Sequence, residues 1–128
     1  MASNINHKAL LVELHKQLKP IFDSSEQGLY LYMDDVNKVC NGKFSGLLGY
    51  KSPKEWAQVI DDIPSVFAEN KSVPVLITAF QNALEKKIAS TVKITWKKKN
   101  GGKVNTIVVL VPLHYKGHLF ALHFVSKI

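Results

Sequence analysis

The chain has 128 residues, of which 46% are hydrophobic, and a formal net charge of +7. That length bounds it at about one domain, and that apolar share excludes disorder and predicts a true core. Its one cysteine, Cys40, excludes an internal disulfide and fits a reducing, cytoplasmic setting.

All seventeen basic residues are lysine. Without the arginine fork that grips guanine or phosphate in two places, sequence-specific nucleic-acid reading is not expected. A basic nucleic-acid accessory protein, held by lysine–phosphate attraction alone, is left as an alternative. The apolar run from Ala9 to Val12 is cut by Glu13, His15 and Lys16, too short and too charged for a signal-peptide core. No stretch approaches the roughly 18 apolar residues of a membrane span, so a soluble chain without membrane association is expected.

In chain order, the spacing predicts an amphipathic helix from about Asn4 to Lys19, with Leu11, Leu14, Leu18 and Ile21 on one face. Pro20 is expected to end or kink it. Asn4 and His7 interrupt the stripe upstream, which excludes a long coiled coil. The stripe fits two roles, packing on its own domain or pairing two copies. Residues 1–20 are read as this helix and 21–128 as one globular unit.

Residues 28–33 alternate leucine and tyrosine as a strand does, Asp34 to Asn37 carry turn chemistry, and Val39-Cys40 continue as a second strand. Asn41 is an N-cap for a short helix bearing Phe44, Leu47 and Leu48, stopped by Gly49. Ser52-Pro53-Lys54-Glu55 opens another, with Pro at the first helical position and a reciprocal Ser–Glu cap. Ser72 to Lys87 is again helical, with Leu76, Phe80, Ala83 and Leu84 on one face.

Three strands close the chain. Val92, Ile94 and Trp96 alternate with polar neighbours, so this strand is wet on one face. Asn100-Gly101-Gly102 predicts a tight hairpin turn. The runs 106–113 and 119–125, separated by Lys116-Gly117, are apolar on both faces and are expected to be central and covered on both sides. The internal helices supply one cover; the N-terminal helix, a second subunit, or both must supply the other.

The run Val39-Cys-Asn-Gly-Lys-Phe-Ser-Gly-Leu-Leu-Gly-Tyr-Lys-Ser-Pro-Lys-Glu-Trp56 resembles the strand-Asn-x-x-Phe-x-x-Leu-Leu-Gly-Tyr-Ser-x-Glu stretch of the PAS family. Trp96 to Gly101 stands in the place of that family's basic Lys-Asp-Gly hairpin. The resemblance covers about Ile21 to Val125. It implies an α+β fold, a five-stranded antiparallel sheet with helices on one face, here joined by the N-terminal amphipathic helix.

The resemblance further implies a non-catalytic sensory or interaction module that binds a small apolar ligand, a protein partner, or both, and a homodimer is expected in which the Leu11, Leu14, Leu18 and Ile21 stripe takes part. The ligand cup would be lined by Phe44, Leu47, Leu48, Leu76, Phe80, Val92, Ile94 and Trp96. No cofactor is expected. Haem-binding members hold iron with a long-helix His, and Val73 to Lys87 contains none; the flavin photosensor's Asn-Cys-Arg-Phe-Leu motif is missing, as is the Cys of the coumaryl photoreceptors. Many members close with Asp-Ile-Thr, where this chain has Ser126-Lys127-Ile128. A stand-alone domain and a piece of a larger sensor both fit that ending. A small enzyme on a cupped scaffold is the other alternative, and it would need an acid or His inside the cup with a perturbed pKa.

Other polar clusters carry less. His114, His118 and His123 fall near the last hairpin without an obvious further ligand, so surface or partly buried histidines are expected rather than a metal site. Asp34-Asp35 and Asp61-Asp62 read as solvated turn carboxylates, and Cys40 as a small buried filler. Lys97, Lys98, Lys99 and Lys103 read as protection of an exposed strand edge, with an acidic partner's docking patch as the alternative.

Overall fold

The computed structural model describes residues 6–61 and 63–128. Helix α1 spans His7–Ser24; Asn4, the expected start, lies outside the described residues. Asn6 closes the first turn, its Oδ1 accepting from the Ala9 N–H at 3.1 Å. The helix runs through Pro20 instead of ending there. Pro20 is exposed, so water can reach the carbonyl it leaves without a helical donor, while buried Phe22 anchors the last turn.

Strands β1 (Gly28–Tyr32), β2 (Lys38–Cys40), β3 (Ser90–Lys97), β4 (Lys103–Tyr115) and β5 (His118–Lys127) form one antiparallel sheet. Their order is β2-β1-β5-β4-β3. The two strands with apolar residues on both faces, β4 and β5, are thus interior, with β5 at the centre. Lys116 and Gly117 join them with φ of 49° and 80°, the twist that a two-residue hairpin needs. The β3–β4 connection is the expected tight turn: Lys98 N–H donates to Gly102 O at 2.7 Å, Gly101 N–H donates to Lys98 O at 3.0 Å, and Gly101 takes φ 94°.

Helices α2 (Gly42–Leu47), α3 (Pro53–Ala57), α4 (Ile63–Phe67) and α5 (Val73–Lys86) lie on the inner face of the sheet. The caps act as the sequence implies. Asn41 Oδ1 accepts from Phe44 N–H at 3.0 Å, Ser52 Oγ accepts from Glu55 N–H at 3.1 Å, and Gly49 takes φ 83°. The returning Glu55 carboxylate overshoots Ser52 and accepts from Lys51 N–H at 2.8 Å. Helix α4 is an addition to the expected elements. Asp35, across the fold, accepts from its Ile63 N–H at 3.1 Å. A stabiliser so distant in the chain leaves no local pattern.

On the outer face, Leu11, Leu14 and Phe22 of α1 pack against Leu29 and Leu31 of β1 and Phe120 and Leu122 of β5. Each such buried side chain stabilises the fold by about 1.5–3 kcal/mol. Helix α1 therefore covers the sheet of its own chain. The exposed edge of β3 is also covered: Glu69 N–H donates to Thr95 O and Thr95 N–H to Ser72 Oγ, both at 2.8 Å. Accordingly two lysines expected as bare edge charges are tied to helices. Lys97 Nζ donates to Ser65 O at 2.8 Å, and Lys99 Nζ pairs with Glu55 at 2.8 Å.

Candidate functional site

The inner face of the sheet and its helices form a cup, and aromatic rings fill most of it. Tyr30 is at its centre. Its ring stacks on Phe44 at 4.8 Å and on His123 at 3.8 Å, and meets the edge of Trp96 at 6.0 Å. Trp56 and Phe67 complete the cluster, 5.6 Å apart. Trp96 is held by its Nε1, which donates to Thr106 Oγ1 at 2.8 Å; that hydroxyl donates on to Ile94 O at 2.7 Å. Trp56 Nε1 is the one buried side-chain donor without a partner among the described residues.

What is left open is a cavity of about 60 Å³ between β1 and β5 on one side and α4 and α5 on the other. Tyr30, Tyr32 and His123 form its sheet wall; Ile63, Leu76 and Phe80 are on its helical wall. Of the eight expected cup residues, Leu76 and Phe80 border this cavity. Phe44, Leu48, Ile94 and Trp96 are buried in the packed core beside it, and Leu47 and Val92 are half-buried against that core. Sequence spacing found the right face but not the hollow, because which ring fills the centre is decided by side-chain volumes across four elements.

His123 was not expected inside. It is buried, with Nδ1 at 3.1 Å from Ala121 O, and burial pulls its pKa down to about 3 against the pull of the Ala121 and Tyr30 backbone. The ring is therefore neutral at physiological pH. Burial also drives the Tyr30 phenol well above its ordinary value. His114 is exposed, and His118 meets His7 edge-on at 5.1 Å. The three histidines do not converge. Among the described residues no three His, Cys, Asp or Glu side chains are placed to hold a metal.

The other candidates are structural in placement. Asp34 accepts from the Val36 and Asn37 N–H groups at 2.9 and 2.7 Å, closing the hairpin turn. Asp35 is half-buried rather than solvated; it accepts from Tyr32 OH at 2.8 Å as well as from Ile63. Asp61 is exposed, and Asp62 lies outside the described residues. Cys40 is buried, and burial pushes its thiol up to about 12. Lys38, which drew no attention in the sequence, is buried too. Its ammonium donates to Asp35 O at 2.7 Å, to Ala57 O at 3.1 Å and to Val59 O, and burial lowers its pKa.

Of the stripe on α1, Leu11 and Leu14 are spent on the chain's own sheet. Leu18 is half-buried and Ile21 is 48% exposed, so these two can meet a second molecule. The outward-facing Ile107, Val109 and Val111 of β4 are half-buried and lie outside the cluster under α1. No helix among the described residues is long and apolar enough to cross a membrane.

No family model matches the sequence, and no curated protein does. The fold does have solved likenesses. A PAS domain from Colwellia psychrerythraea is 18% identical with a TM-score of 0.70, covering 90% of this chain and 97% of that one. The PAS domain of an HTR-like protein from Haloarcula marismortui is 16% identical with a TM-score of 0.63, covering 92% and 94%. A light-oxygen-voltage protein of Rhodobacter sphaeroides is 14% identical with a TM-score of 0.69, covering 91% of this chain and 68% of its own. At such identities the shared property is the fold, in its strand order, its inner helices and its cup. The chain is a domain of the PAS fold.

Proposed function

We propose that the chain is a non-catalytic sensory and interaction module that works as a homodimer. Its state is set by a protein partner or by a small apolar ligand in the cup, either acting by favouring one of two existing conformations. The observation that carries this reading is the half-covered outer face. Strands β4 and β5 are apolar on both sides, yet α1 is seated over β1 and β5, leaving Ile107, Val109 and Val111 outside its cover and Ile21 exposed. A strip of that kind on a sheet's face suits a symmetric contact with a second copy.

The cup supports a cofactor-free reading on volume. A cavity of about 60 Å³ is far below the ~300 Å³ at which drug-sized ligand sites begin. Haem or flavin would have to displace the Tyr30–Phe44–Trp96 rings. The enzyme alternative is disfavoured by the lining. No Asp or Glu borders the cavity among the described residues, and His123 there is held neutral by burial.

Native mass spectrometry of the protein as purified tests the reading. Twice the chain mass, with at most a small-molecule adduct, is the expected result. A bare monomer at tens of micromolar, roughly the range where an ordinary interface is saturated, sinks the homodimer. A Soret or flavin band in the visible spectrum sinks the cofactor-free cup.

A further inference from the structure

The side of α1 away from β4 borders a trough that the cup and the sheet do not use. Two adjoining hollows, of about 470 and 580 Å³, run along it and share His15, Cys40 and Pro53 in their walls. On α1 the lining residues are Lys8, Leu11, Val12, His15, Lys19 and Phe22, with Asp23 at the end where Lys19 pairs with it. They step by three and four, so they form one continuous stripe along the helix. The far bank is made by β2, the start of α2, and α3. From Lys8 to Asp23 the trough is about 22 Å long at the helical rise per residue.

Its Lys8–Val12 half is mainly apolar, with Leu11, Val12, Val36, Val39 and Ala57 in its walls, and lysines outnumber the single carboxylate, Asp23, on its banks. Val12 on one bank and Val36 on the other are 57% and 63% exposed, an unusual place for two valines with nothing to pack on. Lys8 and Lys19 stand on the α1 bank, Lys43 and Lys54 on the opposite one. Lys19 holds Asp23 at 3.2 Å, whereas Lys8, Lys43 and Lys54 have no ion-pair partner among the described residues. The opposite side of α1 is already pinned to the sheet, with Glu13 bonded to Tyr115 OH and paired with Lys116 at 2.6 Å. The helix is thus fixed on one side and presents an unfilled, positively banked channel on the other.

We infer that this trough docks an acidic amphipathic helix of a partner protein. Such a helix of about 15 residues matches the channel's length. Apolar side chains at i, i+4, i+7 and i+11 would enter between Val12 and Val36, and Asp or Glu on both flanks would meet the two lysine rows. Charge argues against the other occupants. A second copy of a chain with net charge +7 would bring like charge to the lysine banks. A nucleic acid gains nothing from apolar walls, and lysine alone gives it no two-point grip. The lysine excess also speeds encounter with an acidic partner at low salt.

The inference stands apart from the cup and from the homodimer, and its test is separate. The probe is a fluorescein-labelled synthetic helix of about 16 residues, leucines on one face and glutamates on both flanks, with a scrambled peptide of equal composition as control. Anisotropy titrations are expected to give a Kd on the order of tens of micromolar, with the scrambled peptide about tenfold weaker. V12D and V36D, both at exposed positions, should each weaken the helical peptide by about tenfold without moving the thermal midpoint. Equal binding of the scrambled peptide, or full binding to V12D and V36D, overturns the proposal. So does a wild-type protein that sediments with phosphatidylglycerol vesicles and is released from the peptide by them, which would make the trough a membrane surface. A V12D change in self-association would overturn it in favour of a second copy.

Discussion

Two buried polar rings show how one residue type carries different costs. Trp96 spends its N–H on Thr106, while Trp56 buries an N–H with no acceptor among the described residues. Trp96→Phe should therefore destabilise more than Trp56→Phe, by about 1–2 kcal/mol, since it breaks a made bond whereas the other removes an unmet one. Urea unfolding of the two variants decides it; equal losses would mean that ring volume alone matters. His123 gives a pH signature. Its folded pKa of about 3 lies below the ordinary 6.5, so the unfolded chain binds the extra proton. The linked stability is complete above pH 6.5 and is lost as pH falls through the window toward 3. The slope reaches about 1.4 kcal/mol per pH unit at most. His15, also lowered by burial and by Lys19, acts in the same sense, so the measurement is a comparison. His123→Phe, which keeps a ring against Tyr30, should flatten the decline of the unfolding free energy from urea titrations between pH 6.5 and 5 by up to about 2 kcal/mol. Parallel curves would take His123 out of the linkage. His123's place against a ring was not legible beforehand: a His in an apolar strand reads the same whether a ring or water faces it.

Elements whose stabilisers are local were the legible ones. Asn41, Ser52, Gly49 and the Lys116-Gly117 turn each act within a few residues, and each does what its chemistry implies. Helix α4 depends on Asp35, distant in the chain, and the last turn of α1 on the sheet residues that Phe22 packs against, so neither support lies in the local window. Asn41 does more than cap. Its Oδ1 accepts from both Leu29 and Phe44 N–H groups at 3.0 Å, and its Nδ2 donates to Phe22 O at 3.2 Å and Gln27 O at 3.1 Å. One buried amide thus ties the end of α1, the start of β1 and the start of α2. Asn41→Ala should cost about 2–4 kcal/mol, more than the ~1 kcal/mol of an exposed cap, because several buried backbone groups lose their partner together. Asn41→Asp keeps the two acceptances and loses the two donations, and should fall between. Chemical denaturation orders the three proteins, and a loss no larger than that of a surface cap would reduce Asn41 to its local role.

At the scale of the molecule, a sheet apolar on both faces sets the question of what covers the second one. The sequence poses that question clearly in 106–113 and 119–125, but an 18-residue helix has only one contact stripe and cannot blanket five strands. The chain resolves it by seating α1 over β1 and β5, where Leu11, Leu14 and Phe22 are buried, and leaving Ile107, Val109 and Val111 of β4 outside its cover and Ile21 exposed. Substitutions at Leu11 or Leu14 would therefore unfold the domain and say nothing about association. Ile21→Lys and Val109→Lys are the informative ones, because both side chains already reach solvent. In a homodimer built on this strip the two-fold axis brings each substitution in twice, so two new charges enter an apolar contact. Association should weaken by at least about 2 kcal/mol, a thirtyfold or so rise in the dimer Kd, with the monomer's secondary structure and thermal midpoint little changed. Sedimentation equilibrium across roughly 1–100 μM covers the range where such a shift is visible. If wild type and both variants sediment alike, the strip is no interface; if only Ile21→Lys responds, the contact runs through α1 alone and the sheet face of β4 is free.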